Sequence, residues 1–276
     1  MRLDGHIHIT SDDINIEDFS AKLSRAGMDG GVLLSLPPDS LFRIYTGNKK
    51  LTAQDRLDNL FTWVNGNPLL YPFFWIDPME PDAEEQVKLA VEEGIKGFKI
   101  ICSNFYPGDP KALKVYHEIA RAQKPILFHS GILWDGEFSS RYNRPAEFEA
   151  LLNVDGLKFA LAHVSWPWHD ECIAVYGKFL NAYGKRPDSS VEMFIDMTPG
   201  TPPIYREEVL TKLLSVGYDI ENNLMMGTDN IINEYNTEWA IEWVERDTSI
   251  YKKLGVDEKI HDKVFCENLK RFVGDM

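Results

Sequence analysis

Cysteine, basic charge and long apolar runs are all scarce in this chain, and each shortage removes a class of protein. Only Cys102, Cys172 and Cys266 occur in 276 residues, far apart and odd in number, with no Cys-x-x-Cys pair. This excludes a disulfide framework and suits a reducing compartment. Lysine and arginine total 29 against 43 aspartates and glutamates, a formal net charge of −14. Phosphate backbones and anionic membranes both call for a basic surface, so neither nucleic acid nor membrane is an expected partner. No apolar run approaches membrane-spanning length. The first strand-like run begins at about Arg2, which leaves no room for a signal peptide, and the expected location is cytoplasmic. Linker-like tracts, low-complexity segments and repeats are also lacking, so a single domain over residues 1–276 is the economical reading.

What is present is alternation. Eight short runs rich in Ile, Leu, Phe, Val or Met read as buried parallel strands: Leu3–Ile9, Gly30–Leu36, Leu70–Ile76, Ile95–Ile101, Pro125–His129, Lys158–His163, Val191–Met197 and Leu224–Thr228. Helical patterns separate them, at Ile16–Gly27, Asp55–Val64, Asp82–Gly94, Lys111–Ala122, Pro145–Leu152, Asp170–Tyr183, Tyr205–Val216 and Glu238–Val244, with a last helix over about Glu258–Phe272. Strand–helix alternation repeated eight times predicts an α/β fold, the (β/α)₈ TIM barrel. The competing doubly wound sheet usually carries a Gly-rich phosphate fingerprint after its first strand, and none is found here. Long connections at 37–54, 130–144, 164–169 and 198–203 all follow strands, which places them at the C-terminal mouth of such a barrel.

Polar residues recur at that same end of the strands. Asp4-Gly5-His6-Ile7-His8 puts two histidines two apart on one strand face, where both imidazoles can reach one ion. Lys99 lies on the fourth strand, His129 on the fifth, His163 on the sixth and Asp229 just beyond the eighth. Strand ends in a barrel converge on one small volume, and three histidines with one carboxylate suit zinc or another borderline divalent ion. A carboxylate in such a site can also accept a proton from water.

These pieces carry a family resemblance. Asp-Gly-His-Ile-His at 4–8, Gly-Phe-Lys-Ile at 97–100, Ile-Leu-Phe-His-Ser at 126–130, Leu-Ala-His-Val at 161–164, Met-Gly-Thr-Asp at 226–229 and Cys-Glu-Asn-Leu-Lys-Arg-Phe at 266–272 appear in order over nearly the whole chain. The sequence resembles the amidohydrolase superfamily, and most closely its amidohydrolase-2 branch, related to aromatic-acid decarboxylases and dicarboxylate lactonases. The resemblance implies a metal-dependent hydrolase of the TIM-barrel type. It implies that His6, His8, His129 and Asp229 bind one divalent ion, Zn²⁺, with His163 polarising water or substrate and Asp229 doubling as base. In dinuclear relatives a fourth-strand lysine is carboxylated and bridges two ions. For Lys99 the favoured reading is instead a substrate contact or ion-pair partner beside a single ion. Asp4 and Asp196 are candidates to orient ligand histidines.

The expected substrate is a small amide, ester or lactone, attacked by a metal-activated water and carrying a carboxylate held by Lys99 and by Arg141 or Arg144. A non-hydrolytic decarboxylase of an unsaturated or aromatic acid can use the same site, a non-catalytic ligand-binding barrel is the reading from another class, and some relatives work without metal. Surface pairing with nearby acids is the plain alternative for both arginines. Trp134, Trp166 and Trp168 are candidate pocket walls. Cys102 has no histidine adjacent in sequence to activate it. His117 and His261 read as structural or surface residues, while His169 after Trp166-Pro167-Trp168 fits either a pocket-lining place or a helix start beside Asp170. Homo-oligomerisation is left open by the sequence.

Overall fold

Each predicted strand forms, and each is followed by the chain segment that covers its outer face. In the computed structural model, which describes residues 1–41, 51–185 and 191–275, the order begins β1 (Leu3–His8), α1 (Ile16–Arg25), β2 (Gly30–Leu34), α2 (Ala53–Val64), β3 (Leu70–Trp75), α3 (Ala83–Glu92), β4 (Gly97–Ile100), α4 (Pro110–Arg121) and β5 (Ile126–Phe128). It continues through β6 (Lys158–Leu161), α5 (His169–Lys185), β7 (Glu192–Asp196), α6 (Pro203–Ser215), β8 (Leu224–Met225), β9 (Asn230–Ile231), α7 (Thr237–Leu254), α8 (Glu258–Asp262) and α9 (Asn268–Val273). The nine strands are all parallel, in the order β8-β7-β6-β5-β4-β3-β2-β1-β9. β8 pairs with β7, while β9, its continuation four residues later, pairs with β1. Gly5 N donates to Met226 O at 2.9 Å across the remaining seam. The result is the TIM barrel. No helix among the described residues is long and apolar enough to cross a membrane. Of the long connection at 37–54, residues 42–50 lie outside the described part.

Local chemistry sets the helix ends. Thr52 and Asp55 form a reciprocal capping box at the start of α2, whose Leu57, Leu60 and Trp63 turn inward. Asp109 caps α4, with Pro110 in its first turn. Between strands and helices lies the larger apolar layer, including Ile7, Phe74, Phe98, Ile100, Phe128, Phe159 and Leu161. Each large side chain fully buried there contributes roughly 1.5–3 kcal/mol. A second cluster fills the barrel itself: Leu3, Val32, Leu34, Tyr71, Phe73, Leu127, Ala160, Phe194 and Met225, closed at the bottom by Leu269 and Phe272 of α9.

Strand parity explains what remains at the top. Along β4, Phe98 and Ile100 belong to the outer layer, so Lys99 faces the barrel axis. β1 breaks parity. Asp4 pairs with Gly31 and Ile7 with Leu33, so β1 carries one extra residue between those pairs. That bulge lets Leu3 face the inner core at the bottom while His6 and His8 face the axis at the top. Gly5 sits in it because a Cβ there would lie 2.7 Å from Met226 O.

Three segments differ from the sequence reading. Residues 145–153 form a 3₁₀ helix, Pro145–Asn153. Its buried Pro145, Phe148 and Leu151 repeat every third position, the period a 3₁₀ turn presents on one side. α7 runs ten residues past the predicted Val244, because Asp247 occupies an inward position that looks like a helix exit. The bidentate Arg206 neutralises it at 2.8 and 2.6 Å, both side chains being about 1% exposed. The last predicted helix is broken by a π turn at Lys263–Glu267, between α8 and α9.

Candidate metal centre and active site

The bulge in β1 brings His6 Nε2 and His8 Nε2 to 3.1 Å of each other. Asp229 Oδ1 stands 3.6 Å from the first and 3.3 Å from the second. Among the described residues these three form the group whose donor atoms could share one ion. Tetrahedral ligands at about 2.0–2.2 Å from zinc are separated by about 3.3–3.6 Å, so the spacing fits. Two ring nitrogens and a carboxylate oxygen aimed at one point also need a proton or a cation between them. The donor set therefore fits a divalent ion with three protein ligands.

His6 is prepared as a ligand from behind. Its Nδ1 donates to Asp196 Oδ2 at 2.7 Å, which leaves the lone pair on Nε2. Asp196 Oδ1 in turn accepts from Thr198 N at 2.8 Å and from the Thr198 hydroxyl. Burial, and then the charge of Lys99, hold the His6 imidazole well below its ordinary range and so neutral, although Asp229 pulls the other way. Burial likewise raises Asp196, against the pull of His163 and Thr198. Gly227 makes room for this contact, since a Cβ on it would stand 2.2 Å from Thr198 Oγ1 and 2.9 Å from His6 Cβ.

Asp229 sits where the eighth strand breaks, with φ 59° in the left-handed region. Few residues other than glycine enter that region, and aspartate is among those that do. Its side chain is 35% exposed and opens onto a cavity of about 520 Å³. Burial works against ionisation of Asp229. The hydrogen bond from His8 and the imidazoles of His163, His6 and His8 outweigh it and hold the carboxyl well below its usual range. At neutral pH Asp229 is therefore a carboxylate able to bind a cation or take a proton.

His163 reaches the cavity by a different route. Parity along β6 would point it outward, but His163, Val164 and Ser165 all adopt positive φ, at 62°, 46° and 57°. The turn is braced from the loop after β5. Ser130 Oγ donates to Ala162 O at 2.6 Å and lies 2.8 Å from Ser165 Oγ, while Ile132 N donates to Trp166 O at 2.9 Å. Gly200 presses on the His163 ring from the loop after β7, where a Cβ would come within 2.7 Å. His163 Nδ1 is buried with no hydrogen-bond partner, and burial lowers the ring's pKa. A neutral imidazole thus lines the cavity.

Lys99 is 1% exposed and its Nζ lies 3.4 Å from His6 Nε2. Burial pushes its pKa down to about 8, with Asp229 and Asp196 pulling it back up. Among the described residues no carboxylate forms an ion pair with it, so it stands at the cavity floor as a cation available to a ligand. The rest of the wall is largely apolar, with Ile101, Ile132, Leu133 and Trp134 prominent. The rings of Trp134 and Trp166 are nearly parallel, 13° apart with centroids 6.5 Å apart.

The structure thus brings together His6, His8, Asp229, His163, His129 and Lys99. His129 lines the cavity but stands outside the three-donor group, because its Nε2 bonds Ile132 O at 3.2 Å. Arg141 and Arg144 do not join the site. Arg144 pairs with Glu171 at 2.5 Å and lies over Trp168, and Arg141 donates to Tyr142 OH at 2.7 Å. Neither is among the cavity's lining residues. Their cationic groups bond Tyr142 and Glu171, so the structure does not bring them together with the other expected site residues. Asp196 bonds the His6 ring, the contact expected of a residue that would orient a ligand histidine. Asp4 instead accepts from His6 N, Thr228 N, Thr228 Oγ1 and Tyr235 OH. Burial pushes the Asp4 carboxyl up to about 6 against those bonds. The bracing roles of Ser130, Gly200 and Gly227 were not read from sequence; a small residue beside each ligand-bearing segment was the available signal.

No protein-family model matches the chain, and no curated protein does. Solved structures match its fold over nearly its whole length. A probable 2-pyrone-4,6-dicarboxylic acid hydrolase from Acinetobacter baumannii, with citric acid bound, superposes with a TM-score of 0.63 at 13% identity, covering 99% of both chains. A 2,6-dihydroxybenzoate decarboxylase from Rhizobium gives 0.66 at 12% identity, covering 99% of this chain and 98% of that one. An amidohydrolase from Burkholderia multivorans with bound zinc gives 0.64 at 11% identity, covering 99% of both. The fold is therefore shared with these hydrolase, decarboxylase and amidohydrolase structures.

Proposed function

We propose that this chain is a metal-dependent hydrolase of a small amide, ester or lactone that carries a carboxylate. The carrying observation is the convergence of His6 Nε2, His8 Nε2 and Asp229 Oδ1 within 3.1–3.6 Å of one another, with His8 and Asp229 on the wall of a cavity of about 520 Å³. These residues would hold one divalent ion, zinc by the chemistry of the donor set, and leave a coordination position open. A divalent ion held there supplies Lewis acidity toward a carbonyl and toward water. Asp229, whose carboxyl is held well below its usual range, takes the proton that attacking water gives up. His163, neutral and cradled by Gly200, donates a hydrogen bond to negative charge developing on the carbonyl oxygen. Lys99 meets the substrate's carboxylate, a role suited to a buried ammonium with no carboxylate ion pair among the described residues. We assign no substrate contact to the two loop arginines.

A second reading has its own observation. The near-parallel Trp134 and Trp166 rings suit a flat, unsaturated acid, whose loss of carbon dioxide could use the same residues. One screen separates the two: zinc-loaded protein is incubated with carboxylated lactones, esters, amides and aromatic acids, and products are identified by mass spectrometry alongside carbon dioxide release. Hydrolysis products from wild type and none from Asp229→Asn, with unchanged circular dichroism, are expected. Carbon dioxide without hydrolysis favours the second reading, and full hydrolytic activity in Asp229→Asn removes Asp229 from the mechanism.

A further inference from the structure

The strain at Asp229 has an identifiable restraint. Aspartate takes a single left-handed position more readily than most residues, and here its surroundings fix that conformation. Both neighbours of Asp229 are pinned. Thr228 N donates to Asp4 Oδ1 at 2.9 Å, and Thr228 Oγ1 donates to Asp4 Oδ2 at 2.5 Å. The same hydroxyl accepts from Asn230 Nδ2 at 2.9 Å, and Thr228 O accepts from Trp239 Nε1 at 2.9 Å. The backbone N–H, carbonyl and hydroxyl of Thr228 are thus all engaged. On the other side, Asn230 pairs with Ile7 in the sheet, and its Oδ1 accepts from Asn236 N at 2.8 Å.

The bond to Thr228 O bears most directly on Asp229. That carbonyl belongs to the peptide plane whose rotation sets φ at Asp229. Trp239 can hold it because its own position is fixed twice. Its backbone N–H is capped by Asn236 Oδ1 at 3.0 Å, and its ring meets Trp243 edge-on at 5.5 Å. Asp4 lies two residues before His6, so the clamp ties the first ligand-bearing strand to the strained turn that carries the third donor.

We propose that Asp4, Thr228 and Trp239 form a clamp that forces Asp229 into its left-handed conformation and so presets its carboxylate against His6 and His8. Thr228 and Trp239 are positioning residues, and Trp239, on α7 outside the cavity, is the outer end of the device. The inference rests on the reading of these donors as a metal site. It predicts that metal affinity responds to a tryptophan that contacts neither metal nor substrate.

The test is zinc affinity, measured by competition with a chromogenic chelator, together with the visible absorption of the cobalt-substituted protein and the thermal midpoint of the metal-free protein. Trp239→Phe keeps the aromatic packing and removes the donor, so zinc should bind roughly two- to tenfold more weakly. Thr228→Val should lose roughly tenfold to hundredfold, and Thr228→Ser, which keeps the hydroxyl, should restore most of that. The cobalt spectrum should shift in the two weakened variants, and the metal-free midpoint of Trp239→Phe should stay near wild type. Should Thr228→Val fail to fold, Trp239→Phe carries the test alone. Wild-type affinity and spectrum in Trp239→Phe overturn the clamp, as does an affinity loss matched by an equal loss of metal-free stability. A wild-type chain that binds no zinc overturns the metal reading, and the clamp with it.

Discussion

Asp196→Asn probes the centre without touching a ligand atom. Asp196 now serves three donors at once: His6 Nδ1 at 2.7 Å through Oδ2, and Thr198 N at 2.8 Å together with the Thr198 hydroxyl through Oδ1. An amide of the same shape has one oxygen and one NH₂. If the oxygen stays with Thr198, the NH₂ faces His6 Nδ1, which must then accept, moving the ring proton to Nε2 where the lone pair is needed. If the oxygen turns to His6, the NH₂ faces the Thr198 N–H and a buried donor is left unmet. Either way one buried bond to a charged group is lost, worth about 1.5–3 kcal/mol. Loss of a carboxylate behind a ligand histidine typically weakens metal binding tenfold to hundredfold, about 1.4–2.8 kcal/mol, so the two estimates agree. Chelator competition should show that drop, with an unchanged circular dichroism spectrum. Affinity within about twofold of wild type would refute the claim that Asp196 fixes the His6 tautomer.

Two further outcomes follow from the same geometry. His8→Ala removes a donor from the three-member group, whereas His129 bonds Ile132 O, so metal content measured after gel filtration should collapse in His8→Ala and fall far less in His129→Ala; equal losses would place His129 among the ligands. Arg206→Met strands Asp247 at 1% exposure and should cost about 3–5 kcal/mol in urea unfolding, while the double change Arg206→Met with Asp247→Leu should recover most of it; a mild single-variant effect would show that the buried pair adds little.

The barrel was readable from the sequence because parallel strands covered on both faces are written as short apolar runs, while the helix starts set by the caps Thr52 and Asp109 fell one or two residues before the predicted ones. The site was partly readable, since histidines at strand ends converge once the barrel closes. What stayed hidden was backbone irregularity. His6 and Leu3 both face the barrel interior only because one extra residue sits between Asp4 and Ile7, and no composition rule marks that bulge. His163 enters the cavity through three consecutive left-handed residues, one of them the β-branched Val164, which local preference argues against. Asp247 concealed ten residues of α7 because its partner Arg206 lies on another helix. Arg141 and Arg144 show the opposite case: their loop supplies Leu133 and Trp134 to the cavity, while their own groups bond Tyr142 and Glu171 and do not line it.

The central claim is that His6, His8 and Asp229 hold one catalytic ion, and elemental analysis of metal-replete protein tests it most directly. Wild type should carry about one zinc per chain after desalting, and His6→Ala with His8→Ala should carry almost none at the same protein concentration. A wild-type chain free of metal after loading, or a double variant that retains as much zinc as wild type, would contradict the account.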